Sequence, residues 1–187
     1  MNRTLADDLA DLYSDPEYWM KKAEALRASA WAIWYCRKAT QGGEILRELG
    51  SELPVNMAGG TCQVYRMLCG MSLELAYKAS LVALGKGVAK THNLVWLAEQ
   101  AGIGLSSKKR GLLALLSQYI IWEGRYPAPS SEFGLEFSAY LHYENLFQKM
   151  HTGNVTELEP IEPHPLGWDC YNELWESAVS AFDWWRS

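Results

Sequence analysis

The chain has 187 residues, of which 49% are hydrophobic and 21% charged, as expected for one globular domain. Its 17 Lys and Arg residues against 22 Asp and Glu residues leave a net charge of −5. This balance lacks the basic footprint that tight, non-specific binding to a nucleic acid requires, because such binding neutralises many phosphates. We therefore predict a single domain over residues 1–187 and no nucleic-acid partner.

The N-terminal sequence MNRTLADDLADLYSDP carries acidic residues where a signal peptide needs basic ones, and no stretch of about 18 uncharged apolar residues follows it. We expect a cytoplasmic protein without a membrane partner. The four cysteines, Cys36, Cys62, Cys69 and Cys170, form no C-x-x-C pair and should be reduced in a cytosol. No zinc knuckle, disulfide framework or cofactor is predicted.

Hydrophobic residues recur at helical spacing through the first half of the chain. A minor helix is predicted at Leu5 to Tyr13, and another near Glu44 to Leu49. Between them a long helix begins at Pro16, because proline suits a first helical turn, and stops near Gly42-Gly43. A central helix is predicted from about Thr61 to Leu84, with Gly85 as its C-terminal stop.

The second half continues the same pattern. Thr91 is predicted to cap a short helix that stops at Gly102, and Ser106 or Ser107 to cap the next, which runs to Gly124. Another helix is predicted from Ser130 or Ser131 to Gly153, with Phe133, Phe137, Tyr140, Leu141 and Phe147 on one side.

The three prolines of residues 157–167 predict an extended connection, and a last helix follows from Tyr171 to Trp185. No alternating strand pattern is apparent. The predicted fold is all-α, an up-and-down helical bundle of about five main helices, mostly antiparallel because the connections are short.

Glu74 and Lys78 lie one turn apart on the central helix. In solvent such a pair stabilises a helix by about 0.2–0.5 kcal/mol, and this ordinary interpretation applies first. Both residues lie one step from the apolar stripe, however, so they can also border a groove between helices, where desolvation strengthens the pair.

His92 follows a glycine-containing linker and precedes a short helix, where free N–H groups attract anions. It is interpreted either as a packing histidine or as a pocket residue. No HEXXH motif is present, so a catalytic metal site is not predicted.

Arg125 and Tyr126 precede Pro127, which favours an extended Tyr126 and presents a guanidinium beside an aromatic ring at a helix end. Such a pair suits phosphate or carboxylate binding with stacking. The alternative is a simple helix exit with a solvated arginine.

Together, Glu74, Lys78, the sequence T-H-N-L at 91–94 and R-Y-P at 125–127 resemble the HEPN domain family, whose name denotes nucleotide binding in higher eukaryotes and prokaryotes. The resemblance implies a helical bundle that usually forms a homodimer. In several branches it also implies a nucleotidyltransferase partner within a toxin–antitoxin or defence pair.

Many members of that family are ribonucleases with an R-x4-6-H motif, but no histidine follows any arginine of this chain at that spacing. The resemblance therefore implies the non-nuclease branch. We predict a non-catalytic bundle with a pocket for a nucleotide or small anion, bordered by Glu74, Lys78, His92, Arg125 and Tyr126. In that pocket Arg125 and Lys78 would meet phosphate, and Tyr126 would stack on a ring.

Two other functions stay open. One is a protein-interaction module without a small ligand, favoured by the nine Trp and ten Tyr residues and by Trp168, Trp175, Trp184 and Trp185 near the C-terminus. The other is a divergent HEPN ribonuclease that depends on His92.

Overall fold

The computed structural model describes residues 4–37, 47–48, 50, 57–88, 90–126, 147–152, 155–160 and 166–186. Within them six helices pack into an all-α bundle. They are α1 (Leu5–Ser14), α2 (Pro16–Arg37), α3 (Met57–Ala83), α4 (Leu94–Gln100), α5 (Ser107–Gln118) and α6 (Trp168–Arg186). A short π-helix, Tyr119–Glu123, extends α5.

The first two helices begin where the sequence predicts. The Thr4 hydroxyl accepts from the Asp7 N–H, and the Asp7 carboxylate accepts from the Thr4 N–H, which closes a capping box in front of α1. α2 begins at Pro16 as expected, and its Ala23 and Ala30 are fully buried against the core. The part predicted to reach Gly42-Gly43, and most of the segment from Glu44 to Leu49, lies outside the described residues.

α3 is the central helix and contacts α2, α4, α5, α6 and the π-helix. Because neighbours surround it, every residue from Ser72 to Leu81 except Leu75 is buried. It ends at Gly85, as predicted, with φ at +68°, and the N–H groups of Gly85 and Lys86 donate to Val82 and Leu81. Among the residues with assigned structure, no helix is long and apolar enough to cross a membrane.

Of the two N-caps predicted for α4 and α5, one is confirmed and one is wrong. Ser106 caps α5 as expected, accepting from the Lys109 N–H at 3.3 Å. The cap of α4, however, is Asn93 and not Thr91, because the Asn93 side chain accepts from the Trp96 N–H at 3.1 Å. Thr91 instead accepts from the Asn93 N–H, so it stabilises the approach to the helix.

The π-helix lies so close to α3 that glycine is required at its end. A Cβ atom at Gly124 would lie 2.6 Å from Met67 Cβ and 2.8 Å from the Tyr119 carbonyl oxygen. Arg66 of α3 also donates from Nη1 to the Tyr119 hydroxyl at 2.6 Å. Burial raises the pKa of Tyr119 to about 12, and the nearby guanidinium opposes that rise.

α6 closes the bundle on α3, where the hydroxyls of Ser72 and Tyr171 share a buried hydrogen bond of 2.7 Å. Trp175 is 4% exposed and belongs to the core, so it offers no area to a protein partner. Trp168 is half-buried and packs on Tyr171. The side chains of Trp184 and Trp185 lie outside the described part of the structure.

The helix predicted between residues 130 and 153 is wrong at its C-terminal end. Phe147–Thr152 is a strand, β1, that pairs antiparallel with Val155–Pro160, β2, in a register from Phe147 opposite Pro160 to Thr152 opposite Val155. Gly153 and Asn154 connect these strands in sequence, and such residues favour two-residue hairpin loops. Phe133, Phe137, Tyr140 and Leu141 lie outside the described residues.

Candidate functional site

The central helix carries a buried ion pair. Glu74 and Lys78 are 6% and 7% exposed, and Lys78 Nζ donates to Glu74 Oε1 at 2.5 Å. The interpretation of a solvated helix pair is therefore wrong, because α3 is enclosed on this side by other helices. A buried charge is stable only beside a partner that offsets its desolvation, and each residue supplies that partner for the other.

His92 brings an imidazole to the second oxygen of the same carboxylate. Its Nδ1 lies 2.9 Å from Glu74 Oε2, while 55% of the His92 side chain stays exposed. An ionised carboxylate only accepts hydrogen bonds, so Nδ1 carries the proton that it donates to Glu74. The other ring nitrogen, Nε2, is left for an external group.

A buried serine that sequence reasoning missed holds the start of α4 in place. Ser117 of α5 accepts from the Leu94 N–H at 3.0 Å and donates to the Leu113 carbonyl oxygen at 2.8 Å. Because Leu94 is only two residues from His92, this contact positions the imidazole over Glu74. The available signal was a single hydroxyl within the leucine-rich stretch of α5.

Arg125 reaches the site through the π-helix. The N–H groups of Gly124 and Arg125 donate to Tyr119 and Trp122 at 3.1 and 2.9 Å, so the chain makes a wide last turn before it leaves α5. The Arg125 guanidinium donates to the Ile121 carbonyl oxygen and lies 5.4 Å from the centroid of the Tyr126 ring. Both Arg125 and Tyr126 are exposed.

These elements enclose a cavity of about 150 Å³. Its polar wall is Glu74, His92 and Arg125, and its apolar wall is Met71, Leu75 and Ile120. Three of the five predicted pocket residues thus come together from three separate elements.

Lys78 and Tyr126 do not line this cavity. Lys78 is buried beside Glu74, where it neutralises the carboxylate and cannot meet phosphate as expected. Tyr126 lies against the guanidinium of its neighbour Arg125, at the edge of the site. The predicted direct role of Lys78 is therefore replaced by an indirect, electrostatic one.

The charges around the cavity leave an excess of positive charge. The Glu74 carboxylate is balanced by the Lys78 ammonium, so the Arg125 guanidinium supplies one net positive charge. A guanidinium presents several N–H donors in a planar fork that matches phosphate and carboxylate oxygens. Within the described ranges, no group of three or more His, Cys, Asp or Glu side chains is arranged to hold a metal ion.

Comparison with known proteins identifies no relative of this chain. No protein-family model, no curated protein and no solved structure matches this chain. The resemblance to the HEPN domain therefore depends on the motifs at 74–78, 91–94 and 125–127 alone.

Proposed function

We propose that the protein is a binding protein of HEPN type that holds the phosphate group of a nucleotide, or a similar small anion, in the cavity of Glu74, His92 and Arg125. The observation that carries the proposal is the meeting of these three side chains at one cavity. They are separated in the sequence by a glycine linker and by the whole of α4 and α5.

The size of the cavity limits what enters it. Pockets that enclose a whole small-molecule ligand measure about 300–1,000 Å³, whereas this cavity measures about 150 Å³. It therefore accepts one phosphate-sized group, and a nucleoside attached to that group stays outside. Tyr126, which is 57% exposed beside Arg125, offers an aromatic ring on which the base can stack.

Each polar residue has a separate part in this proposal. Arg125 donates to the anion directly, and His92 donates from Nε2 when it is protonated. Glu74 orients the imidazole through Nδ1, and Lys78 cancels the charge that Glu74 would otherwise direct at the anion.

Isothermal titration calorimetry with inorganic phosphate, AMP and ATP tests this proposal. We expect saturable heat in the wild type and at least a tenfold loss of affinity in Arg125→Gln and in His92→Ala. Arg110→Gln is the matched control, because Arg110 is an exposed arginine that pairs with Glu99 and does not line the cavity. Absence of heat at millimolar ligand, or equal affinity in Arg125→Gln and wild type, would refute it.

A second candidate function is a divergent ribonuclease. It is favoured by the contact between Glu74 and His92, since a carboxylate that holds Nδ1 leaves Nε2 ready to accept a proton beside an arginine. Cleavage of single-stranded RNA that disappears in His92→Ala would support this function. Cleavage that persists in that variant would remove His92 from it.

The motif order in the sequence extends the proposal to the other properties of the family. We expect a homodimer in the cytoplasm and a nucleotidyltransferase as protein partner, in a toxin–antitoxin or defence pair. Sedimentation equilibrium tests the homodimer, and a monomeric mass at all concentrations would contradict it. Co-purification of a nucleotidyltransferase from native lysate tests the protein partner, and its repeated absence would count against the pairing.

A further inference from the structure

A second groove, lined by two charged and three apolar side chains, lies between α2 and α6 and is separate from the cavity of Glu74, His92 and Arg125. It has a volume of about 320 Å³, within the range of about 300–1,000 Å³ that small-molecule sites occupy. The groove is lined by Glu24, Arg27, Ala28 and Trp31 of α2 and by Trp168 of α6.

The guanidinium of Arg27 is held rigidly in this groove. It lies 5.0 Å from the centroid of the Trp175 ring and 5.6 Å from that of Trp168. Its Nη2 donates to Asn172 Oδ1 at 2.6 Å, and the amide of Asn172 is oriented by a bond to Glu176 at 2.7 Å. Two indoles and an amide therefore fix the plane of the group before any ligand arrives.

Arg27 has donor capacity that the described residues do not use. No carboxylate of the described residues lies within ion-pair distance of the guanidinium. Its Nε has no hydrogen-bond partner among them but is buried, so it is shielded from the groove. A planar guanidinium without a counter-ion pairs best with a carboxylate or phosphate. Arg27 is thus prepared for an anionic group.

The other side chains of the groove suit two further parts of a ligand, a flat ring and a positive charge. Trp31 is 44% exposed. Its ring centroid lies 4.6 Å from that of Trp168 at an interplanar angle of 57° and 6.4 Å from that of Tyr35 at 41°, so a flat ring can stack on its exposed part. Glu24 lies one helical turn before Arg27 and is exposed, which places a negative charge close to the positive one. Ala28, between them and Trp31, leaves the space open.

We propose that this groove binds a zwitterionic aromatic ligand of the α-amino-acid class. The carboxylate pairs with Arg27, the ammonium with Glu24, and the aromatic ring stacks on Trp31. A plain aromatic acid would meet repulsion from Glu24, and a plain aromatic amine would leave Arg27 without an anion, so both charges are needed. The site is independent of the phosphate-binding proposal, because the two share no residue.

Calorimetry with L-phenylalanine is the test, with 3-phenylpropionate and phenethylamine as probes that lack the ammonium and the carboxylate. We expect saturable binding of L-phenylalanine and at least tenfold weaker binding of the other two. Equal affinity for either comparison probe, or no heat at millimolar L-phenylalanine, would overturn the assignment.

Variants locate the binding at the groove. Glu24→Gln and Trp31→Ala change exposed side chains and should each weaken L-phenylalanine binding at least tenfold without unfolding the protein. They also keep the test decisive if Arg27→Gln fails to fold. Glu17→Gln is the matched control, since Glu17 lies on the same helix outside the groove. Unchanged affinity in both groove variants would refute the proposal.

Discussion

Removal of one member of the buried pair should destabilise the protein far more than removal of a surface pair. Lys78→Met leaves the Glu74 carboxylate, whose side chain is 8% exposed, with His92 as its one remaining ion-pair partner among the described residues. Glu74→Leu leaves the Lys78 ammonium, whose side chain is 9% exposed, without a carboxylate from the part of the chain that the structure describes. Breaking a buried ion pair in this way typically costs about 3–5 kcal/mol, because one charge stays buried and unpaired.

The double variant Glu74→Leu/Lys78→Met removes both charges together. Replacement of a buried pair by apolar residues of similar size is often neutral, so the double variant should be more stable than either single variant. The chain offers a matched control in Glu17 and Lys21, which have the same spacing but are 46% and 74% exposed at 4.0 Å. Their Leu and Met variants should change stability by at most about 1 kcal/mol.

Urea denaturation followed by far-UV circular dichroism measures the stability of all five variants of this comparison. The free energy of unfolding is taken from the midpoint and the slope of each transition. A solvated helix pair contributes only about 0.2–0.5 kcal/mol to stability. If each single variant at the buried pair lost only that much, the result would refute the burial of this pair and with it the electrostatic balance of the cavity.

Three further predictions concern the elements that support the site. Gly124→Ala should lower the free energy of unfolding by about 1–3 kcal/mol, because the added Cβ would lie 2.6 Å from Met67 Cβ. Gly104→Ala is the control, since no atom lies within 4 Å of a Cβ added there. Equal urea midpoints in the two variants would contradict this packing. Asn93→Ala should cost about 1 kcal/mol through loss of the α4 cap, and an unchanged midpoint would argue against that cap. Stability should fall above pH 10, because Tyr119 ionises near 10.0 in the unfolded chain but near 12 in the folded one; equal urea midpoints at about pH 9 and about pH 11 would exclude this effect.

The helical architecture was predictable because its signals are local. Pro16, Ser106 and Gly85 begin or end helices through their own backbone chemistry, and the structure has all three in those roles. For Glu74 and Lys78 the sequence left a solvated pair and a desolvated pair beside a groove both open, because burial depends on how many helices surround α3 and not on the residues near the pair. The pattern of side chains along one helix does not show how many other helices pack against that helix.

The remaining differences have equally specific causes. The π-helix depends on the close approach of Gly124 to Met67, two residues far apart in sequence, and no local pattern indicates it. The hairpin of β1 and β2 was missed although Gly153-Asn154 is a recognisable turn sequence, because Phe147 also fits a helical stripe. Thr91 and Asn93 are both good caps, and only the bond to the Trp96 N–H distinguishes them.

The most direct test of the phosphate-binding proposal is to observe the imidazole of His92 while phosphate is added. In a two-dimensional ¹H–¹⁵N NMR spectrum of the side-chain nitrogens, the His92 signals are assigned by their loss in His92→Gln. We predict a saturable shift of His92 Nε2 with inorganic phosphate, and no such shift in Arg125→Gln. A His92 signal that stays unchanged at millimolar phosphate, or that shifts equally without Arg125, would contradict the proposal.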